Sequence, residues 1–386
     1  MDLLKTKYGA LELTSPIILA SSGITKAVEN VRKADKYGAG AVALKTQFEE
    51  PLMGDSPTPR FTIIRRGGKD YSSVTNLSYE QGYAYGIDAY CEEIAHCKKE
   101  GFSTKVIASI GCSTEDCWKK WAKMVEQAGA DALEMNLSCP HSDYVMAGLG
   151  RINPMVEQMV PAVKSAVSIP VHTKLTPQIE NPILTAKVME KSGSDAVVAF
   201  SRCLGLDLDI DTEMPIMHGG YGGHGGPWSI HYALRWISEM APQMNIPISG
   251  CGGVVEWQDV AKFILCGATT VQVCFLVYTY GYSVIEKLNQ GLAGYMEKKG
   301  YTSIEDFRGN ITGKIKGLKD VSREKVLIAS VDQDACIGCG RCSDICIFDG
   351  IDYDDQNKKA SINKKCDGCG LCPYFCPKKA ISMVKR

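Results

Sequence analysis

Eight cysteines near the C-terminus have the residue type and the spacing that bind iron–sulfur clusters. They form two runs with the same spacing, Cys336-x2-Cys339-x2-Cys342-x3-Cys346 and Cys366-x2-Cys369-x2-Cys372-x3-Cys376-Pro377. Thiolates are soft anionic ligands that suit iron, and the tight spacing lets one loop bind three corners of a cubic cluster. The two runs therefore predict two [4Fe–4S] clusters.

The fourth cysteine of each run is expected to bind the cluster of the other run. One predicted ligand set is accordingly Cys336, Cys339, Cys342 and Cys376. The other predicted set is Cys366, Cys369, Cys372 and Cys346. Ile347 stands where the first run would usually have a proline, but that proline is not a ligand.

Zinc and disulfide bonds are the alternative uses of such cysteines. A zinc site closes with four ligands from paired C-x2-C units, which leaves the third cysteine of each run without a role. Disulfides need an oxidising compartment, which nothing in the sequence indicates. The doubled run resembles bacterial ferredoxins, so we predict a twin-[4Fe–4S] ferredoxin-like domain over residues 331–386.

The bulk properties of the chain exclude several function classes. It has 386 residues and a net charge of −1, which allows two or three domains and implies no polyanionic partner. No basic stripe is visible for nucleic-acid binding. The first residues lack the apolar core of a signal peptide, and no stretch of about 18 apolar residues could span a bilayer. We therefore expect neither a nucleic-acid nor a membrane partner.

Cysteine usage indicates a reducing compartment. The chain has 17 cysteines, and without a predicted secretion signal this number favours the cytoplasm. Nine cysteines lie outside the two runs. Five of these are interpreted as small buried apolar side chains, namely Cys91, Cys97, Cys112, Cys117 and Cys266.

Eight short, β-branched apolar runs recur upstream of the cysteines, with amphipathic stretches between them. Continuous apolar runs separated by helical segments indicate parallel strands covered by helices. Eight such units predict a TIM (β/α)8 barrel, for which about 250 residues are typical; a doubly wound sheet is the alternative. The predicted strands are Ile17–Ser22, Ala41–Thr46, Val106–Gly111, Ala132–Ser138, Pro170–Thr176, Ala196–Arg202, Pro247–Gly252 and Thr270–Phe275.

The predicted domain order is a barrel over residues 1–312, a charged connector over 313–330 and the cluster domain over 331–386. A hairpin within residues 3–15 is expected to close the barrel floor. Glu115–Ala128 has a helical apolar face, and Asn181 precedes Pro182 as a helix start.

Polar and glycine residues follow the predicted strands, where TIM barrels place their active sites. The segments concerned are Ser21–Gly23, Lys45-Thr46, Asn136–His141, Lys174–Pro177, Ser201-Arg202, Gly250–Gly253 and Val273–Phe275. Bare backbone N–H groups after strands seven and eight can approach phosphate oxygens. The sequence therefore predicts a phosphate-bearing cofactor at this end.

Several motifs at these strand ends resemble the FMN-binding barrel of the dihydroorotate dehydrogenase superfamily. They are NLSCPH, KLTP, the YGGHGG loop at Tyr221–Gly226, SGCGGV and VQVC. With the two cysteine runs, the chain is similar to dihydropyrimidine dehydrogenases, more specifically to the catalytic FMN and iron–sulfur subunits of the two-subunit bacterial type. The resemblance implies FMN and two [4Fe–4S] clusters as cofactors.

The resemblance also implies roles for individual residues. The flavin ring is expected to be lined by Ser21, Gly23, Lys45, Asn76, Asn136 and Lys174. The ribityl chain and phosphate are expected to be bound by Gly225, Gly226, Gly252, Gly253 and Cys274. A lysine beside the ring stabilises negative charge on it. The substrate is expected to contact Asn76, Asn136, Ser201 and Arg202.

Cys139 is the predicted proton donor. An unperturbed thiol has a pKa of about 8.5, so it is mostly protonated near neutral pH and can act as a general acid. His141 is the candidate neighbour for the reverse reaction, and Lys45 is the third predicted catalytic residue. The alternative for Cys139 is a buried cysteine at a tight turn.

The activity implied by the resemblance is reduction of a pyrimidine ring C=C bond, in uracil or thymine, with hydride from flavin N5 and a proton from Cys139. No nicotinamide fingerprint stands out in the chain. Electrons are therefore expected from an NAD(P)H-oxidising flavoprotein subunit or from a soluble ferredoxin. A homo-oligomer or hetero-oligomer is expected.

Ser201 and Arg202 depart from the family pattern, which usually has asparagine followed by serine or threonine after strand six. Arginine binds carboxylates in a bidentate manner, so a carboxylated cyclic or conjugated substrate, dihydroorotate dehydrogenase-like or enoate-type, is an alternative. Arg202 could instead turn outward to Asp207, Asp209 or Asp211. An electron-transfer subunit without its own catalysis is the alternative from another class.

Overall fold

The computed structural model describes residues 2–49, 56–65, 74–79, 82–83, 85–137 and 152–386. The chain divides into two compact units, Met1–Ile315 and Lys316–Arg386. The predicted connector over 313–330 stays a prediction, and the first strand of the second unit begins inside that range, at Leu327.

The strands of the first unit are mostly short and buried. They are β1 (Thr6–Tyr8), β2 (Leu11–Leu13), β3 (Ile17–Leu19), β4 (Ala41–Ala43), β5 (Gln47–Phe48), β6 (Phe61–Arg65), β7 (Val74–Ser78), β8 (Lys105–Gly111), β9 (Ala132–Met135), β10 (Val171–Leu175), β11 (Ala196–Ala199), β12 (Cys203–Gly205), β13 (Leu208–Asp209), β14 (Met214–Pro215), β15 (Gly222–Gly225), β16 (Ile248–Cys251) and β17 (Thr270–Val273).

Eight of these strands form a closed parallel barrel. The order around the barrel is β3, β4, β8, β9, β10, β11, β16 and β17, and β17 pairs again with β3. The predicted TIM barrel is thus confirmed, and each of the eight predicted runs overlaps one barrel strand. The observed strands end earlier than most of the predicted runs, because residues such as Ser21 and Lys45 leave the sheet to line the barrel mouth.

Helices lie between the barrel strands and pack their apolar faces on them. They are α1 (Val28–Lys36), α2 (Gly86–Lys99), α3 (Glu115–Gln127), α4 (Ile152–Lys164), α5 (Pro182–Lys191), α6 (Ile230–Met240), α7 (Trp257–Leu265), α8 (Phe275–Tyr280) and α9 (Val284–Lys299). Asn181 caps α5 by accepting a hydrogen bond from the Ile183 backbone N–H at 3.1 Å.

A hairpin made of β1 and β2 closes one end of the barrel, as the sequence predicts. Tyr8, Leu11 and Leu13 are buried in one apolar cluster with barrel residues such as Ile18 and Ala132. This packing fills the barrel at the N-terminal ends of its strands. The other end of the barrel holds the candidate site.

A separate four-stranded antiparallel sheet has the order β12-β15-β7-β6. It joins segments that follow the second barrel strand to segments that follow the sixth. Gly223 in β15 lies opposite Ser78 in β7, and Gly225 lies opposite Asn76. The sheet therefore brings two glycines and two polar side chains to one region. Its existence was not predicted from the sequence.

The second unit is small and is built around two antiparallel pairs. Its elements are β18 (Leu327–Val331), α10 (Arg341–Asp344), β19 (Ile351–Asp354), β20 (Lys359–Ile362), α11 (Leu371–Phe375) and β21 (Ile381–Lys385). β18 pairs with β21, and β19 pairs with β20. Its small apolar core includes Ala329, Ile351, Ala360 and Ile381.

Trp118 provides a test of how α3 is attached to the barrel. Its side chain is 1% exposed and packs in the main core. We expect Trp118→Ala to lower the free energy of unfolding by about 3–5 kcal/mol, because the large cavity left behind collapses only in part. Chemical denaturation followed by far-ultraviolet circular dichroism measures this loss.

The matched control for Trp118 is Leu184→Ala on α5, where the side chain is 59% exposed. Surface changes of this kind stay within about 0.5 kcal/mol. Equal losses in the two variants would contradict the packing of α3 described above.

Candidate active site

A cavity of about 310 Å³ opens at the C-terminal ends of the barrel strands. This volume lies in the range of about 300–1,000 Å³ typical of small-molecule sites. Most residues predicted from the sequence line this cavity. They are Ser21, Lys45, Asn76, Asn136, Lys174, Ser201, Arg202, Gly225, Gly226, Gly252, Gly253 and Cys274.

Three predicted residues are not among those that line the cavity. Gly23 lies in the short turn Gly23–Thr25, and the structure does not bring it to the cavity wall. Cys139 and His141 lie outside the described residues. Their roles as proton donor and neighbour therefore stay predictions.

A chain of hydroxyl groups positions the amide of Asn136. The Asn136 Nδ2 atom donates to the Thr46 Oγ1 atom at 3.0 Å. Thr46 Oγ1 also lies 2.8 Å from the hydroxyl oxygens of Ser21 and Ser109. The Tyr90 hydroxyl accepts a hydrogen bond from the Ser109 backbone N–H at 2.8 Å. The amide orientation is therefore set by a network that links residues after β3, β4 and β9 to Ser109 in β8.

A buried ion pair forms the wall beside this network. Lys174 Nζ lies 3.3 Å from Glu134 Oε1 and donates to Gln272 Oε1 at 2.9 Å. Gln272 Nε2 in turn donates to Glu134 Oε2 at 2.8 Å. Burial alone would lower the pKa of Lys174, but the carboxylate of Glu134 outweighs it and the pKa is raised. Lys174 therefore stays positively charged at neutral pH.

Glu134 and Gln272 were not identified from the sequence. Both occur inside runs that were interpreted as continuous apolar strands, ALEM and TVQV. The signal was available, since a charged or amide side chain in the middle of a buried strand needs a polar partner. Only the closed barrel shows that each is the partner of Lys174.

Bare backbone and a helix start form one corner of the cavity. Gly253 has a φ of +74°, and a Cβ atom there would lie 2.4 Å from the backbone nitrogen of Ile230 at the start of α6. A Cβ atom at Gly226 would lie 2.4 Å from the Val74 carbonyl oxygen. Free N–H groups at a helix start bind anions such as phosphate. This corner fits the phosphate of FMN.

Aromatic side chains make up much of the remaining wall. They are Phe48, Phe61, Phe200, Trp228, Tyr232 and Tyr278, and none was identified from the sequence. His224 lies 4.9 Å from Trp228 between ring centroids, and burial lowers its pKa. A planar, largely apolar wall of this kind suits a stacked ring system and limits access of water.

Arg202 is held against the separate sheet. Its Nη1 atom donates to the Ser78 hydroxyl, and a Cβ atom at Gly223 would lie within 2.6 Å of its Nε, Cζ and Cδ atoms. The side chain therefore lies across bare backbone and lines the cavity. Asp209 instead accepts hydrogen bonds from the Asp211 and Thr212 backbone within its own turn. The outward alternative for Arg202 does not describe this structure.

The eight cysteines of the second unit gather into two groups. One small cavity is lined by Cys336, Cys339, Cys342 and Cys376. The other is lined by Cys346, Cys366, Cys369 and Cys372. Each group thus contains three cysteines of one run and the fourth cysteine of the other. This is the grouping that the spacing predicts.

The two cysteine groups have the same backbone hydrogen bond to sulfur, once in each group. Gly350 N–H donates to Cys346 Sγ at 3.2 Å, and Ala380 N–H donates to Cys376 Sγ at 3.2 Å. Both donors lie four residues after the cysteine. Such bonds favour sulfur that carries negative charge, as in a bound cluster. The thiol set and its donors fit two [4Fe–4S] clusters.

Two protein families match different parts of the chain. The dihydroorotate dehydrogenase family matches residues 3–296. The chain belongs to this family. The one named 4Fe-4S dicluster domain matches residues 329–383. The family uses FMN, so the cofactors are FMN and iron–sulfur clusters, as the resemblance implies.

Two relatives extend this assignment within the family. The chain is 29% identical to the NAD-dependent dihydropyrimidine dehydrogenase subunit PreA of Escherichia coli over 395 residues, which is 98% of this chain and 95% of the relative. It is 33% identical to the catalytic subunit of dihydroorotate dehydrogenase B (NAD(+)) of Pyrococcus furiosus over 307 residues, which is 79% of this chain and 98% of that relative. The chain is therefore an oxidoreductase that acts on CH–CH bonds.

Among the described residues, no helix has the length and apolar character needed to span a bilayer.

The buried pair of Lys174 and Glu134 gives a test with a defined pH dependence. We expect Glu134→Gln to lower the free energy of unfolding by about 3 kcal/mol at pH 7, because it leaves a buried positive charge uncompensated. The pKa of Lys174 should then fall. The loss relative to the unmodified protein should shrink as the pH rises toward 9, since Lys174 can lose its proton only in the variant.

Denaturation at several pH values measures that trend. Glu115→Gln is the control, since it breaks the exposed ion pair with Lys119 and should cost less than about 0.5 kcal/mol. A loss in Glu134→Gln that does not change with pH would contradict a charged Lys174 in the folded protein.

The crossed cysteine groups give a second test. Cys376→Ser should remove the cluster that is otherwise bound by Cys336, Cys339 and Cys342, although Cys376 belongs to the other run. We expect iron and sulfide content to fall to about half, because one cluster retains all its thiolates. Iron analysis and electron paramagnetic resonance of the reduced protein measure this. Cys91→Ser serves as the control and should retain full iron.

Proposed function

We propose that the protein reduces the ring C=C bond of a pyrimidine, uracil or thymine, to the dihydropyrimidine. The similarity to the dihydropyrimidine dehydrogenase subunit extends over 98% of the chain. The observation that carries the proposal is the cavity at the barrel mouth. It combines two asparagine amides, a lysine that forms a buried ion pair with Glu134, and a corner formed by glycine backbone.

The side chains of the cavity have separate tasks in this proposal. FMN, when bound, would supply hydride chemistry at its N5 atom. Lys45, which is 8% exposed, stabilises negative charge at the ring. Asn76 and Asn136 bind the amide edge of the substrate, since each offers both donors and acceptors. The aromatic wall holds the substrate ring in a stacked orientation and keeps water out.

Cys139 is the proposed source of the proton. It follows Asn136 by three residues, after the end of β9. Its Sγ atom gives a proton to the ring carbon beside the one that receives hydride. His141 is proposed to return a proton to this thiolate, so that the thiol is restored for the next turnover.

Electrons are proposed to enter through the clusters of the second unit. The relative from Escherichia coli is named as a subunit of an NAD-dependent enzyme. By analogy, an NAD(P)H-oxidising flavoprotein subunit in the same cytoplasm is the proposed partner, with a soluble ferredoxin as the alternative donor.

Replacement of Cys139 tests the proton donor. We expect Cys139→Ala to lower kcat for uracil by about 10²–10⁴-fold, the usual contribution of a general acid. Reduction of the flavin by the electron donor should keep its normal rate, because that half-reaction needs no proton from Cys139. Stopped-flow spectroscopy separates the two half-reactions.

The control for this test is Cys91→Ala, which removes a half-buried thiol on α2. Normal turnover in Cys139→Ala would reject the acid role. Flavin that is present but is never reoxidised by any unsaturated compound would favour the electron-transfer subunit instead.

A second candidate is reduction of a carboxylated ring or another anionic unsaturated compound. Arg202 carries this candidate, because its guanidinium is held at the cavity wall by Ser78 and Gly223. Asn76 lies two residues before Ser78 on the same face of β7. An amide and a guanidinium side by side match a substrate that carries a carbonyl next to a carboxylate.

The charge of the cavity also favours an anionic ligand. The charged residues that line it are Lys45, Lys174 and Arg202, and none of the described lining residues is aspartate or glutamate. The positive charge of Lys174 is compensated by the carboxylate of Glu134. Lys45 and Arg202 also line the cavity, and a lining with positively charged side chains suits a cofactor phosphate, negative charge on the ring and an anionic substrate.

Arg202→Lys and Arg202→Met distinguish the two candidates. If the substrate is anionic, we expect KM for orotate to rise at least about tenfold in Arg202→Met and less in Arg202→Lys, which keeps the charge but loses the bidentate geometry. Uracil should be affected far less. Steady-state assays with uracil, thymine, orotate and unsaturated acids measure this pattern.

Preference for uracil in the unmodified protein, with no change for orotate in either Arg202 variant, would reject the anionic candidate. Gly223→Ala is the matched control variant, since its methyl group would displace the Arg202 side chain without removing it. It should reproduce the pattern of Arg202→Met.

A further inference from the structure

Two cysteines at the rim of the barrel lie in unusually close contact. Cys112 follows β8 directly, and Cys117 lies in the first turn of α3. Their Sγ atoms are 2.8 Å apart. Both side chains are partly buried and pack against the main apolar core, as does Cys91. Cys97 and Cys266 are buried, as predicted.

The distance between the sulfur atoms is informative. A disulfide bond is about 2.05 Å long. Two thiolates on one tetrahedral zinc ion lie about 3.8 Å apart, given zinc–sulfur bonds of about 2.3 Å. At 2.8 Å the two atoms are nearer to the bonded separation than to the metal-bound one. A movement of less than about 1 Å would join them.

Glu49 lies beside the two thiols. Its Oε2 atom accepts hydrogen bonds from the Ser113 backbone N–H at 2.9 Å and from the Ser113 hydroxyl at 2.5 Å. Partial burial alone would raise the pKa of Glu49, but the hydrogen bonds from Ser113 and Cys117 outweigh it and lower the pKa. Glu49 is therefore a carboxylate in contact with the Cys117 thiol.

The two thiols have different environments. The backbone N–H of Cys117 donates to the Thr114 hydroxyl at 3.3 Å, at the start of α3. Burial, followed by the contact with Cys117, raises the pKa of Cys112. Cys112 is therefore proposed as the thiol that reacts second, which leaves Cys117 as the first to react.

We propose that Cys112 and Cys117 form a reversible disulfide bond by exchange with a small-molecule disulfide. Cys117, as the thiolate, attacks the small disulfide, whose sulfur–sulfur bond breaks and releases one thiolate. Cys112 then attacks the mixed disulfide on Cys117 and releases the second thiolate. The protons of Cys117 and Cys112 pass to the two thiolates, so the cysteines are oxidised and two small thiols are formed.

The proposed bond lies directly behind the cavity wall. The backbone N–H of Glu49 donates to the Gly111 carbonyl at 3.0 Å, and Phe48, which lines the cavity, precedes Glu49. A Cβ atom at Gly111 would lie 2.5 Å from the Phe48 ring, and one at Gly82 would lie 2.7 Å from it. The modification therefore sits one residue from a packed part of the candidate site, and it does not depend on the proposed substrate.

A metal ion is the competing occupant. One ligand atom from each of Glu49, Cys112 and Cys117 lies within 4.8 Å of the others. Zinc would require the two sulfur atoms to separate by about 1 Å. The observed distances favour the covalent bond.

The test uses the purified holoprotein under anaerobic conditions. Samples are equilibrated in glutathione buffers of increasing oxidised fraction, quenched with acid, alkylated and digested with trypsin. The peptide Val106–Lys119 contains Cys112 and Cys117 and no other cysteine. We expect the mass of this peptide to fall by two hydrogen atoms as both cysteines stop reacting with the alkylating reagent. Both changes should follow a single two-electron transition, and dithiothreitol should reverse them.

The variant Cys112→Ser separates the order of the two steps. It should trap glutathione on Cys117, whereas Cys117→Ser should leave Cys112 mostly alkylated. The proposal is overturned if the peptide stays fully alkylated in the most oxidising buffer. It is also overturned if the protein contains one zinc ion per chain that is lost in Cys112→Ser.

Discussion

The direction of the barrel strands is the constraint on which the candidate site depends. All eight strands are parallel, and the pairing of β4 with β8 helps to close the ring. Because the strands are parallel and the ring is closed, all their C-terminal ends lie at one mouth of the barrel. Lys45, Asn136, Arg202 and Cys274 therefore meet there although they are far apart in the sequence. The hairpin at the opposite end fills the floor, which leaves this mouth as the place where side chains can form a cavity.

Much of this arrangement was readable from the sequence because parallel barrel strands are buried on both faces. They appear as continuous apolar runs, and the polar residue after each run marks the mouth. The same pattern does not show the role of Glu134 and Gln272, because a single polar residue within an apolar run still fits a buried strand. Their role becomes clear only in the closed barrel, where Lys174 on β10 contacts both of them.

Pairings between distant segments explain the other differences. The sheet that joins β7 to β15 has no local signal, so the sequence could not show that Gly223 makes room for Arg202. The YGGHGG loop was interpreted only as a cofactor loop, yet its glycines also shape the wall around Asn76. Cys112 and Cys117 looked like ordinary packing residues because the turn that brings them together is set by Thr114 and Glu49.

The crossed grouping of cysteines has a consequence for biosynthesis. One group needs Cys376 and the other needs Cys366, Cys369 and Cys372. Neither group is complete while the ribosome is still translating the codons before residue 372. The barrel, whose strands all precede residue 274, can fold earlier. Iron delivery must therefore act on a late product of translation, and messages truncated before the codon for Cys372 yield chains in which neither cysteine group is complete.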